Sequence, residues 1–350
     1  MRSKSSSSFL LKGLATLVAA GGLVSAARPA SPQIDVGSAA PALFAEGTIS
    51  TEDDEANGSF SADGTEYYFT KFNPYTTLPR WGVICVSRLA GGRWSEPEIV
   101  SFSGRYFDES PRVAPDGRRM YFTSSRPAPG SSAHVLRIWT VEATPAGWAE
   151  PRPLPAPVNA VGQDSNFSAS ATRDGTLYFA STRDGSGRTH IYRARPNGDG
   201  YAEPEKLGSA VNSQVSETDP FVSPDESLLF FVSQGDGPPT DKDRPETIKG
   251  GGVVYPRGDL YASVRRDGAW SPARHLEHGV NTFADETSPS LTPDGKLLFF
   301  SSERSPFTVP PSHRLEAAEI TRMQHTTLNG HGNVYSIPVD VLGLDLEPPR

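Results

Sequence analysis

A single cysteine stands in the 350 residues, and that scarcity constrains everything after it. Cys85 has no internal partner, so no disulfide closes this fold and an exported chain must close it by other means. It lies in the alternating stretch WGVICV and reads as a buried strand thiol rather than a nucleophile. Long apolar runs are also missing. Beyond the N-terminus no segment approaches the about 20 apolar residues that a bilayer span requires. Positive charge is in deficit, with a formal net charge of −8, which argues against nucleic acid as a partner and against holding an anionic membrane by charge alone. No Gly-x-Ser-x-Gly elbow occurs, and there is no room for an α/β-hydrolase. Gly250-Gly251-Gly252 neither follows a strand nor opens a helix, so it is no phosphate loop.

The N-terminus reads as a leader. Arg2 and Lys4 give a positive start, Leu14 to Val24 is apolar, and Val24-Ser25-Ala26 offers small residues for cleavage. Residues 1–27 are therefore expected to be a secretory signal peptide, with 28–40 a short linker, 41–342 the folded domain and 343–350 a tail. Loss of Arg2, Lys4 and Lys12 takes the formal charge from −8 to −11. The expected protein is periplasmic or secreted, monomeric, and without a membrane span after cleavage.

What is abundant is punctuation: 33 glycines and 32 prolines spread along the chain, as many short strands joined by turns require. One unit recurs five times, as SADGTEYYFTK from Ser61, APDGRRMYFTSSR from Ala114, ATRDGTLYFASTR from Ala171, SPDESLLFFVSQ from Ser223 and TPDGKLLFFSSER from Thr292. Each copy reads as strand, tight turn, strand. Asp63, Asp116, Asp174, Asp225 and Asp294 bond locally in the turn, and the aromatic residues beyond suit a half-buried pleated surface. A third strand follows each copy: GVICVSR, LRIWTVEA, HIYRARP, DLYASVRR and NVYSIPVD. After four of the five comes an aromatic residue and then a proline, Trp94 with Pro97, Trp148 with Pro151, Tyr201 with Pro204 and Trp270 with Pro272. These open a fourth, outer strand, where a missing N–H is tolerated, and their aromatic rings are expected between neighbouring sheets.

Repeats of this length imply a propeller or solenoid, and four antiparallel strands per repeat make a propeller blade. The fifth repeat lacks its outer strand. Pro41 to Ser50 can supply it, because Leu43 precedes Asp63 by 20 residues, the interval that also separates Leu154 from Asp174. The expected fold is thus all-β: a five-bladed β-propeller of four-stranded antiparallel blades, closed by the N-terminal strand completing the last blade.

On the strength of Pro115-Asp116-Gly117, Pro224-Asp225 and Pro293-Asp294-Gly295, each followed by a Tyr-Phe or Phe-Phe strand, the repeats resemble the Pro-Asp-Gly, WD40-like β-propeller repeats of the TolB-like family. The resemblance covers about 300 residues and implies a fold. Asp63 follows Ala62, Asp174 follows Arg173, and Asp225 precedes Glu226, so two copies lack the proline and one the glycine.

Candidate site residues collect at the end of the blades opposite the Asp turns, called the top. Eight residues before each turn Asp stand Glu55, Asp108, Asn166, Glu217 and Glu286, which symmetry would set around the mouth of the central channel. At the top of the second strand stand Lys71, Arg126, Arg183 and Arg304, with Gln234 in the fourth copy. Two readings stay open. Either the acids accept backbone N–H groups and pair with the basic residues, or they converge on a hard cation such as Ca²⁺ or on a cationic ligand group. Ser305 to Gly332 and Gly235 to Gly258 are the longest insertions and leave the same face; 312–319 reads as a short capped helix, with His325 and His331 able to reach over the mouth. His275 and His278 point to opposite faces and cannot easily share a metal. The expected function is a binding module holding a protein, peptide or glycan on the top face. The alternative is a carbohydrate-active hydrolase or lyase with channel carboxylates; no catalytic residue is assigned.

Overall fold

The computed structural model describes residues 39–73, 79–127, 135–159, 164–234, 258–306 and 312–346. The leader, all of the linker but residues 39 and 40, the tail from residue 347 on, and all of the fourth-repeat insertion except Gly258 lie outside the described residues.

The alternation of strand residues and Asp turns folds as expected, into five antiparallel blades around an axis. From the axis outwards, blade 1 has Asp54–Phe60, Glu66–Phe72 and Gly82–Ala90. Blade 2 has Asp108–Val113, Arg119–Ser124 and Arg137–Thr144; blade 3 has Asn166–Ala171, Leu177–Ser181 and His190–Ala194. Blade 4 has Glu217–Val222, Leu228–Ser233 and Asp259–Arg266, and blade 5 has Glu286–Leu291, Leu297–Ser302 and Asn333–Pro338. The Asp turns behave as the sequence requires. Oδ1 of Asp63, Asp174, Asp225 and Asp294 accepts both the N–H two residues on and a hydroxyl two residues back. The next residue is left-handed: Gly64, Gly117, Gly175 and Gly295 in four blades, Glu226 at φ 60° in the other. A non-glycine there is strained, and Glu226 is held by Arg193, Arg265 and the Tyr178 hydroxyl.

The outer strands are more broken than the sequence suggests. Arg93–Trp94 and Glu98–Ile99 pair with the same third strand, separated by Pro97, which has no N–H to donate; Ser95 N–H bridges the gap to Arg88 O. Blades 2 and 4 repeat this. A further repeat, not anticipated, ties these segments down: the amides of Asn159, Asn212 and Asn281 each accept from and donate to the third strand and donate to the outer one. The aromatic residues of the outer strands do pack between blades. Trp148 Nε1 donates to Tyr68 OH at 3.2 Å, Tyr201 and Tyr121 share a hydroxyl hydrogen bond at 3.0 Å, and Trp270 stands edge-on to Tyr178.

Closure is carried by two residues. Ala42 and Leu43 pair with Ser336 and Tyr335, completing blade 5 from the other end of the domain. Phe44, 4% exposed, then plugs the seam between blades 5 and 1, edge-on to Phe299, Tyr67 and Trp94. Phe44→Ala is therefore expected to cost about 3–5 kcal/mol in denaturant unfolding, while Leu346→Ala, at an exposed site, stays within about 0.5 kcal/mol of the parent.

Candidate functional site at the axial channel

The acids at the head of each innermost strand do not converge on the axis. Each is at most 1% exposed and is turned into its own blade and entry loop. Thr51 donates its N–H and hydroxyl to Glu55, Ser213 does so to Glu217, and Thr282 does so to Glu286, all four residues upstream. Ser181 and Ser302 hydroxyls add bonds to Asn166 and Glu286. The basic residues close the arrangement. Arg126 Nη2 lies 2.9 Å from both oxygens of Asp108, Arg183 2.8 Å from Asn166 Oδ1, Arg304 3.5 Å from Glu286, and Lys71 3.5 Å from Glu55 and 2.6 Å from Asp53.

These guanidinium groups also cap aromatic pairs: Arg126 over Phe122 and Trp139, Arg183 over Phe179 and Tyr192, Arg304 over Phe300 and Tyr335. In blade 4, where Gln234 replaces the cation, His190 of blade 3 reaches Glu217 at 3.1 Å. There His275 stands edge-on to Tyr261, 5.3 Å from it, with its pKa raised chiefly by a hydrogen bond to Asp259. Burial pushes Glu55, Asp108 and Glu286 upwards against these partners. The mouth-of-channel placement of Glu55, Asp108, Asn166, Glu217, Glu286, Arg126, Arg183 and Arg304 thus gives way to an internal one, because loop hydroxyls and the stacked cation use their polar atoms. The metal-ligand alternative fares no better: among the described residues no cluster of three or more His, Cys, Asp or Glu could hold a metal.

What faces the axis comes one and two positions later. The residue after each of these heads is partly exposed, between buried neighbours in every blade but the fourth: Ala56, Glu109, Phe167, Thr218 and Thr287. The next, Asn57, Ser110, Ser168, Asp219 and Ser288, is left-handed at a β-bulge with φ from 50° to 62°. This second set closes the channel at a waist. Ser110 and Ser168 hydroxyls are 3.3 Å apart, Ser168 donates to Asp219 at 2.6 Å, and Ser288 donates to Asn57 and, at 3.5 Å, to the other Asp219 oxygen.

Above the waist the Glu109 carboxylate makes no hydrogen bond or ion pair among the described residues. Desolvation and the Asp219 charge push its pKa up to about 8, with Arg80 pulling the other way. Arg80 itself is pinned to Asp54 and stacked 4.4 Å over Phe72. In the sequence Glu109 and Asp219 are marked only as acids that break the five-fold pattern, at positions where the other blades carry neutral residues.

The fifth-blade insertion also shifts from its expected form. Its helix is Ala317–Gln324, not 312–319, because Glu316 and Glu319 form a capping box and start it there. His325 and His331 meet Glu52 of the blade 1 entry loop, at 3.3 Å and 3.2 Å. Among the described residues no helix is long and apolar enough to cross a membrane.

No known family's profile matches the chain. Among curated proteins, the uncharacterized peptidase YuxL of Bacillus subtilis (strain 168) is 28% identical over 210 residues, 55% of this chain and 29% of that protein. The match thus spans less than a third of that relative. Among solved structures, a TolB described as putative from Agrobacterium tumefaciens aligns over 82% of this chain and 90% of its own at 14% identity and TM-score 0.46. A GH43 endo-arabinanase from Bacillus licheniformis aligns over 83% and 96% at 10% identity and TM-score 0.47.

The sign of the Glu109 effect is fixed. A folded-state pKa near 8 against an ordinary 4.5 means the folded chain holds a proton that the unfolded chain has lost. That contribution to stability is fully present below 4.5 and disappears as pH rises through about 8. The thermal midpoint of the parent is expected to fall over this interval more than that of Glu109→Gln; parallel curves would contradict the placement of Glu109.

Proposed function

We propose that this chain is an exported propeller binding module that holds a protein, peptide or glycan on its top face, with Glu109 at the axial mouth as the group that reads the ligand. The observation that carries this is that, among the described residues, the Glu109 carboxylate on the axis has no hydrogen-bond or ion-pair partner. A neutral Glu109 can donate a hydrogen bond, and a cationic ligand group would draw off its proton. On the top face, the connection between the second and third strands of blade 1 exposes Trp81 and the loop entering blade 5 exposes Phe283, 38% and 44% accessible, aromatic side chains of the kind that anchor interfaces. The leader-like pattern of residues 1–27 supports periplasmic or secreted placement.

The fold also accommodates the alternative, a carbohydrate-active enzyme. Glycoside hydrolysis takes two carboxylates in different environments, one acid and one base or nucleophile. Glu109 and Asp219 differ in environment, yet both Asp219 oxygens accept serine hydroxyls of the waist. One free carboxylate suits recognition better than two-carboxylate chemistry.

The test is recovery of partners from an envelope extract by the parent and by Glu109→Gln, alongside an oligosaccharide turnover screen. Partner recovery lost in Glu109→Gln with no turnover by either is the expected result. Equal recovery would remove the axial mouth from the reading, and turnover abolished by Glu109→Gln would establish the enzyme instead.

A further inference from the structure

The opposite end of the axis carries a different chemistry. Below the waist the channel opens among the five Asp turns into a cavity of about 160 Å³. Its lining includes Arg112, Arg173 and Phe221, with Pro115, Pro224 and Pro293 contributed by three of the turns, and it contains no acid. On a chain of net charge −8 that is a local reversal of sign.

Arg112 forms the roof. The equivalent positions in the other blades are Ser59, Ser170, Phe221 and Ser290, so the cation occurs once in the five-fold pattern. Arg112 is 5% exposed and lies 5.9 Å from the Phe221 ring. Its two Nη atoms donate to the carbonyls of Gly58 and Pro289. Among the described residues its Nε makes no hydrogen bond and no carboxylate stands within ion-pair distance. Asp219, at the waist above, acts on it only from farther off. Desolvation lowers its pKa to about 10, which still leaves it charged at neutral pH. Buried charges are ordinarily paired; here the remaining N–H donors belong to a group that lines a cavity of mixed walls, with Phe221 and the turn prolines beside Ser59, Ser170 and Thr292. The cavity is close in size to one that admits a benzene ring.

We infer that the bottom mouth is a binding site for a small aromatic carboxylate, its ring between Phe221 and the turn prolines and its carboxylate on Arg112, with Arg173 at the rim. The carboxylate completes the charge pairing that Arg112 lacks, and Phe221 and the turn prolines offer apolar surface to the ring. Two sources present this chemistry, a free aromatic acid and the C-terminus of a peptide ending in Phe. The site is separate from the top face, so its failure leaves the reading of Glu109 untouched.

Benzoate and benzyl alcohol titrated into the full chain by calorimetry or ligand-observed NMR decide the matter. Saturable benzoate binding is expected, with the alcohol weaker by about tenfold or more, the worth of a charge-assisted hydrogen bond. Arg112→Lys and the surface variant Arg173→Gln should both weaken benzoate. Absence of saturable benzoate binding, equal binding of acid and alcohol, or undiminished binding in both variants would overturn the proposal. If Arg112→Lys does not fold, the alcohol comparison and Arg173→Gln suffice. A short peptide ending in Phe, with free or amidated terminus, separates the sources: tighter binding of the free-terminus peptide than of benzoate assigns a peptide, weaker binding assigns a free acid, and equal binding of the two peptides contradicts the carboxylate's role.

Discussion

The buried polar head of each innermost strand is the tie on which this propeller depends. It stands where three parts of a blade meet: the loop entering from the previous blade, the second strand and, in four of the five blades, the cation at that strand's end, with His190 of blade 3 taking that part in blade 4. Glu286 is the fullest case, accepting from Thr282 N–H, Thr282 Oγ1 and Ser302 Oγ while Arg304 sits between it and the Phe300–Tyr335 pair. Arg304 adds to the tie, donating to the Gly279 and Val280 carbonyls of the segment that arrives from blade 4. One buried group thus fastens the first two strands of a blade to the chain arriving from the blade before, without the disulfides that a chain with one cysteine cannot form.

The same constraint sorts structure from recognition. A side chain that every blade repeats meets a need of the blade, and its polar atoms are consumed there. The exceptions to the five-fold pattern are the informative ones: Glu109 where other blades have Ala56, Phe167, Thr218 and Thr287, and Arg112 where they have Ser59, Ser170, Phe221 and Ser290. The waist, formed from Asn57, Ser110, Ser168, Asp219 and Ser288, separates these two exceptions into chambers of opposite character.

The fold was legible because period-two patterns, Asp turns and a fixed interval are local signals, and even the pairing of Ala42–Leu43 with the last blade followed from counting. The site was less so. The strand direction correctly placed Glu55 and its equivalents at the top, but the inference that they face the axis assumed regular alternation. The bulge that follows them puts the next two residues towards the axis instead. The sequence did contain the missing clue: Thr51, Ser213 and Thr282 each lie four residues before their acid, a spacing that marks a carboxylate satisfied by its own loop. The Val-Asn pairs at Asn159, Asn212 and Asn281 were equally visible, though only the hydrogen bonds give them meaning.

Removing one tie tests this account most directly. Glu286→Ala leaves the partly buried Arg304 without its counter-charge and the Thr282 and Ser302 donors without their acceptor, and denaturant unfolding should register a loss of about 1–3 kcal/mol, the cost of leaving buried polar groups unpaired. Stability indistinguishable from the parent would contradict the claim that these acids hold the blades together.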